Sequence, residues 1–216
     1  MDSHSEQAAT RFDQWADTYG EDRISSWFSF YQSMAMSKLK LAEGVGFLEV
    51  GCGTGWAVRE VAKQLKFGQA CGIDISPNMI EKAKSQTLKE KNIAFQLANA
   101  EAIPYPDESF SSILCTCSFH HYQNPVGALS EMKRVLRKDG SIVILDSARD
   151  VSFPIWLQDR WRRYFEKSHV KYYKMTEMKA LVAKTQLKLI GEIITISKFM
   201  DHKKVFTGLM LLKCGK

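Results

Sequence analysis

The chain has 216 residues, 45% of them hydrophobic and 25% charged, and a net charge of +6. A chain of this length is expected to form one domain with a sizeable core, because chains divide only beyond about 250 residues, and its composition excludes disorder as the main state. Its longest apolar runs fall far short of the ~20 residues a bilayer span needs, and MDSHSEQAATRFD at the start lacks a basic-then-apolar leader pattern, so a cytoplasmic location is expected.

Cys52, Cys71, Cys115, Cys117 and Cys214 are odd in number, and four of them fall in strand-like segments, which is the usage of a reducing compartment. Cys115 and Cys117 have one residue between them and alternate with apolar neighbours, so no metal site is expected there. Charge is unevenly spread. Residues 1–150 carry 16 Lys and Arg against 19 Asp and Glu, a net of −3, whereas residues 151–216 carry 14 against 5, a net of +9.

In chain order, Thr10 and Asp13 resemble a capping box opening a short helix with Phe12, Trp15, Ala16 and Tyr19 on one face. SSWFSFYQSMAM follows, dense in large adaptable side chains, and suits either a lid or a helix packed on the core. From Phe47 a strand–turn–helix pattern repeats: GFLEV, a glycine-rich turn and a helix over 57–65; ACGID and a helix from Ser76-Pro77 to about Glu90; IAFQLA; SSILCTC; a helix from Asn124-Pro125 to near Lys138; and SIVILD after Gly140. Strands alternating with helices imply parallel pairing with right-handed crossovers. Helices are expected over 155–167 and 176–186, and LKLIGEIITISKF and VFTGLMLLKC flank MDHKK as a hairpin.

The first strand runs into Gly51-Cys52-Gly53-Thr54-Gly55 and then a helix, the place where open α/β sheets bind ligands. The spacing is G-x-G-x-G, and Trp56 stands where a dinucleotide fingerprint has its third glycine; no phosphate-loop Lys-Ser/Thr pair follows. The turn therefore suits a nucleoside-like ligand without phosphates, with Asp74 at the end of the second strand placed to accept ribose hydroxyls. At this point EVGCGTG, GIDISPNMI, ANAEAIPYPDESF, SFHHYQNP and RVLRKDGSIVILD, in that order over about residues 10–150, resemble the class I S-adenosylmethionine-dependent methyltransferases, in particular the ubiquinone/menaquinone-biosynthesis type.

The resemblance implies an α/β fold, a Rossmann-like open, mostly parallel seven-stranded sheet with helices on both faces and a C-terminal antiparallel hairpin. It divides a single methyltransferase domain, 1–216, into an N-terminal helical cap (1–43), a cofactor-binding core (44–150) and a basic helical insertion plus strand hairpin (151–216). The cofactor implied is S-adenosyl-L-methionine, with S-adenosyl-L-homocysteine as product. Glu49 would orient the glycine turn or the cofactor's amino group; Gly51, Cys52 and Gly53 would line its methionine and ribose portions; Asp74 would hold the ribose diol; Ile75 and Met79 would sandwich the adenine. Asn99, Ala100 and Glu101 match the family's D-A-E, with Asn99 in place of the usual Asp. An amide oxygen accepts the same bond without charge assistance, so weaker cofactor binding is expected, tightened by Asn99→Asp. The Cys117 backbone would face the amino group, and Tyr19 would close over the cofactor.

His120 and His121 follow the fourth strand and are the candidate catalytic pair, as general base or as loop anchors. Trp27, Phe28, Phe30, Tyr31, Trp156, Trp161, Tyr164 and Phe165 suggest a cap over an apolar pocket. Arg160, Arg163, Lys167, Lys171 and Lys174 suggest an anionic acceptor or an anionic delivering surface, including peripheral contact with a membrane. The expected activity is methyl transfer to a small-molecule acceptor, apolar or aromatic; phospholipid or RNA methylation, and cofactor binding without transfer, are the alternatives. Nucleic acid is disfavoured, because the strand-four loop reads CSFHHY and lacks the N/D-P-P-aromatic signature of amino-methylating enzymes. Oligomeric state is not set by these residues.

Overall fold

The computed structural model describes residues 3–16, 18–19, 23–41, 44, 46–87, 91–196 and 208–216, with the backbone alone for 3 and 23–27. The elements in chain order are α1 (Ser3–Ala16), α2 (Arg23–Met36), β1 (Gly46–Val50), α3 (Trp56–Ala62), β2 (Ala70–Asp74), α4 (Pro77–Ser85), β3 (Ile93–Leu97) and β4 (Phe110–Thr116). A 3-10 turn (Phe119–His121) follows, then α5 (Pro125–Val135), β5 (Leu136–Ser147), α6 (Phe153–Phe165), α7 (Met175–Lys184), β6 (Lys188–Leu189), β7 (Ile194–Ile196) and β8 (Leu209–Gly215).

The strands form one sheet in the order β3-β2-β1-β4-β5-β8-β6, with β7 also on β8. β3 to β5 are parallel and β8 is antiparallel to β5. β6 and β7 pair with the two ends of β8 and share one edge, so the sheet has seven positions, as expected. The turn between β7 and β8, including MDHKK, lies outside the described residues. No helix among the described residues is long and apolar enough to cross a membrane.

Period-two alternation separates the two faces of the sheet. Leu48, Val50, Ile113 and Cys115 pack under α5 and α7 with Leu129, Met132, Met178 and Val182. Phe47, Leu114, Val143 and Leu145 pack against Tyr31, Ala35, Val58 and Val61 of α2 and α3. α2 is therefore a core helix.

Local capping fixes several helix starts. The Ser76 hydroxyl accepts from the Met79 N–H (3.1 Å) with Pro77 at the first helical position, and Asn124 Oδ1 accepts from Gly127 N–H (2.9 Å) with Pro125 in the same role. The Thr10–Asp13 cap is not formed, because α1 begins at Ser3 and Thr10 is inside it, its hydroxyl bonded back to the Glu6 carbonyl (2.8 Å). Asp13 instead accepts from the Ser76 hydroxyl (2.5 Å) and the Asn78 N–H (3.1 Å), tying α1 to the start of α4. α5 ends at Val135, three residues early, because Leu136 is already extended, fully buried and paired with Phe110. α7 stops at Lys184, and Gln186, exposed, takes a left-handed φ of 58° at the position where the resembled family often has glycine.

Candidate active site

The glycine turn is set by backbone geometry. Gly51, Gly53 and Gly55 have φ of 76°, 51° and 76°, three left-handed residues in alternation that side chains with a Cβ rarely adopt. A Cβ at Gly51 would lie 2.5 Å from Ser118 Oγ, while at Gly53 it would meet nothing nearer than Tyr19 at 4.0 Å. Gly51 thus lets β1 and the β4 loop close together, and Gly53 leaves open space beneath Tyr19.

A cavity of about 950 Å³, its mouth included, lies at the carboxyl ends of β1 to β4. It is lined by Gly51, Cys52, Gly53, Asp74, Ile75, Met79, Asn99, Ala100, Glu101 and Cys117 from the sheet, by Tyr19 from above, and by His121. Its roof is an aromatic group: Trp15 meets Tyr19 edge-on (centroids 4.8 Å) and Phe28 (6.0 Å), and Tyr19 and Phe28 stack at 6.4 Å. Phe12 joins Trp15 at 6.5 Å and meets the His121 ring edge-on at 5.0 Å.

Asp74 is held by its own turn. Its Oδ2 accepts from the Gly53 N–H (2.8 Å) and its Oδ1 from the Ser76 N–H (3.0 Å). Burial raises its pKa, and these N–H donors offset part of that rise. The remaining lone pairs of a carboxylate are available to hydroxyl donors in the cavity.

Glu49 does not line the cavity; it stands behind the wall. It points, like Phe47, to the α2 face, where Gln32 Nε2 donates to its Oε1 (3.2 Å) and to Thr116 Oγ1 (3.0 Å), and the Thr116 hydroxyl reaches the same Oε1 (3.4 Å). Glu49 is fully buried with Oε2 unpartnered, and burial, then the nearby Asp74 charge, pushes its pKa up to about 8. Gln32 and Thr116 are what the cavity sees. Gln32 was unmarked in the sequence except as an amide inside an apolar helix.

Asn99 Oδ1 accepts from the Glu101 N–H (3.0 Å), and Nδ2 donates to the Ser5 hydroxyl (3.4 Å), so the amide links the β3 loop to α1. Cys117 has a left-handed φ of 51°, and its N–H donates to the Leu145 carbonyl (2.8 Å), so only its carbonyl is offered to a ligand's ammonium. The Cys52 and Cys117 thiols are raised well above the usual range by burial and are neutral.

The histidine pair divides. His121 lines the cavity and His120 lies behind it. His120 Nδ1 faces Asp146 Oδ1 at 2.7 Å, and His121 Nδ1 faces the Ser168 carbonyl at 2.6 Å. A carbonyl only accepts, so His121 Nδ1 carries the proton and Nε2 holds the lone pair. Burial, followed by the neighbouring imidazole (His169 for His120, His120 for His121), holds both well below their usual pKa, so both are neutral at pH 7. Burial raises Asp146 to about 6, which leaves it largely ionised there. His169, not singled out in the sequence, completes the group: its centroid is 5.4 Å from His120, its Nε2 faces Asp159 Oδ1 at 2.9 Å, and its buried Nδ1 is unpartnered.

The expected aromatic cap forms only in part. Phe28 lines the cavity, Tyr31 is core, Phe30 is on the surface, and the Trp27 side chain lies outside the described residues. Trp156, Trp161, Tyr164 and Phe165 do not line it, because α6 turns them to solvent. No Lys or Arg lines the cavity among the described residues.

Residues 48–144 match the methyltransferase domain family. The demethylmenaquinone methyltransferase of Tropheryma whipplei (strain Twist) is 34% identical over 149 residues, 66% of this chain and 60% of that protein. This chain thus spans about 60% of the length of that curated relative. Among solved structures, a chain from the complex of the Haloferax volcanii Trm112 methyltransferase activator with a methyltransferase superposes with a TM-score of 0.80 at 18% identity, covering 94% of this chain and 96% of that one. The YcgJ protein of Bacillus subtilis superposes with a TM-score of 0.66 at 24% identity, covering 78% of this chain and 74% of that one. The glycine turn, Asp74 and the loops after β3 and β4 all fall in the segment that matches the methyltransferase domain family, and the chain shares the fold of these solved structures.

Proposed function

We propose that the chain transfers the methyl group of S-adenosylmethionine to a small apolar or aromatic acceptor. The observation that carries this reading is the meeting, in one cavity, of the left-handed glycine turn, the Asp74 carboxylate and an aromatic roof. The residues suit the cofactor. Asp74 would accept the ribose hydroxyls, the space beside Gly53 would admit the methionine portion, Ile75 and Met79 would flank the base, and the Cys117 carbonyl would receive the ammonium. The acceptor named for the curated relatives, demethylmenaquinone, is of the class that a cavity walled by aromatic rings, with no Lys or Arg among the described residues, would take.

A bound sulfonium supplies an activated methyl group, so the chain's own task is alignment and exclusion of water, and alignment alone is worth roughly 7–11 kcal/mol. Phe12, Trp15, Tyr19 and Phe28 close the roof. His121 Nε2 takes the acceptor's proton when the acceptor must lose one; its Nδ1–H, fixed on the Ser168 carbonyl, holds the ring in that tautomer. His120 and Asp146 position it from behind, the two rings lying 4.0 Å apart.

Thermal unfolding with S-adenosylmethionine, S-adenosylhomocysteine and NAD tests the cofactor. The two sulfur compounds are expected to stabilise by about 2.7 kcal/mol at a hundred times their dissociation constants, with NAD giving no shift. Asp74→Asn, which keeps the shape but not the charge, should weaken that binding about tenfold. Equal shifts with NAD, or none with any compound for protein shown cofactor-free by mass spectrometry, would refute the reading. His121→Ala should lower turnover at saturating cofactor by about 10²–10⁴. An unchanged rate removes the base; shifts without turnover on any quinol, phenol or lipid acceptor would instead favour binding without transfer.

A further inference from the structure

α6 faces the wrong way for an ordinary surface helix. An amphipathic helix usually turns its apolar stripe to the core and its charges to water. Here the inward stripe is Ile155, Asp159, Arg162 and Glu166, at spacings of four, three and four. Asp159 is 3% exposed, accepts from the Tyr172 N–H (2.6 Å) and faces His169 Nε2, while Glu166 pairs with Arg11 of α1. The outer side carries Phe153, Trp156, Leu157, Trp161, Tyr164 and Phe165, between 42% and 84% exposed. Exposed Arg160 and Lys167 share that side, the Arg160 guanidinium lying 5.9 Å from the Trp156 ring centroid, whereas the Arg163 guanidinium turns back to Asp159 (2.8 Å).

We propose that this outer side of α6 is a docking surface for an anionic lipid bilayer. Burying the helix's acids inward leaves aromatic rings interleaved with cations, the composition of helices that lie in a bilayer interface, where Trp and Tyr occupy the headgroup level. Charge selects the occupant. A two-fold dimer through this patch would set Arg160 and Lys167 against their own copies, and the segment 151–216 already carries a net of +9, so an anionic partner is complementary where a second copy is repelled. The patch is joined to the cavity. Ser168, three residues past α6, bonds Arg11 Nη1 through its hydroxyl (2.9 Å) and His121 Nδ1 through its carbonyl (2.6 Å). A bilayer held by α6 thus lies next to the segment that anchors His121 at the cavity wall. The docking itself is independent of methyl transfer.

The test is sedimentation of the full chain with phosphatidylcholine vesicles, with and without phosphatidylglycerol. Binding is expected only with phosphatidylglycerol, reversed by high salt and accompanied by a blue shift of tryptophan emission. Arg160→Gln and Lys167→Gln should each weaken it about fivefold, and the Trp161→Ser/Tyr164→Ser double variant should abolish it. All these positions are exposed, so the variants should keep the wild-type thermal shift with S-adenosylhomocysteine, which separates this result from the cofactor reading. Absence of binding, binding indifferent to phosphatidylglycerol, or full binding by the double variant would overturn the proposal. So would a concentration-dependent dimer in ultracentrifugation that the double variant loses while vesicles capture nothing.

Discussion

Gly55→Ala is expected to cost about 2–5 kcal/mol of stability, a large share of the 5–15 kcal/mol typical of a domain. Two independent effects add. The left-handed φ of 76° costs an alanine about 1–2 kcal/mol. The new Cβ would also lie 2.3 Å from Phe95 Cζ, 2.5 Å from Phe95 Cε1 and 3.2 Å from Ala83 Cβ, inside the seam between β3 and α4, where overpacking costs about 1–3 kcal/mol. Gly44→Ala isolates the first effect, since Gly44 has the same φ of 76° and an added methyl there meets no atom within 4 Å. Urea unfolding midpoints at unchanged slope provide the comparison. A Gly55→Ala cost no larger than that of Gly44→Ala would mean that Phe95 yields freely. Recovery in Gly55→Ala/Phe95→Leu would confirm the clash. Gly53→Ala should behave differently: with nothing nearer than 4.0 Å, its methyl enters the cavity and weakens cofactor binding more than folding.

Glu49→Gln should make the unliganded protein more stable than wild type at pH 9, by a few kcal/mol, and nearly equal to it at pH 4.5. Glu49 in the folded chain holds its proton to about pH 8, whereas unfolded glutamate loses it near 4.5. Between those values the folded state binds the extra proton. Its contribution is therefore fully present below pH 4.5 and is lost as pH rises through 8, where a bare carboxylate must sit in the α2 face of the core. Glutamine carries no such penalty and retains an oxygen for the Gln32 amide. Denaturation series from pH 4.5 to 9 on both proteins measure the divergence. Parallel curves would show that the site admits water or a counter-charge.

Part of this architecture is written locally. Ser76-Pro77 and Asn124-Pro125 start α4 and α5 as expected, because a cap is completed within one helical turn. The core strands are legible from the repeating strand–turn–helix pattern, and the glycine spacing from the need for left-handed φ at Gly51, Gly53 and Gly55. Boundaries moved where distant packing prevailed, as at Leu136, which pairs with Phe110 before α5 could continue.

The order of elements, the parallel sheet, the ligand turn with Asp74, and the loops that carry Asn99, Cys117 and His121 are thus all legible in the amino-acid order, being fixed by interactions within a few residues or by a repeating period. Which side chains face the cavity and which stand behind it depends instead on long-range packing. Gln32 reaches Thr116 across 84 positions, Arg11 reaches Ser168 across 157, and His121 reaches Ser168 across 47. The direction of α6 was likewise settled from outside the helix. Its aromatic stripe is visible in the sequence, but Arg11, His169 and the Tyr172 N–H supply the partners that turn Asp159 and Glu166 inward. A buried charge compensated by such partners overrides the usual preference for burying the rings.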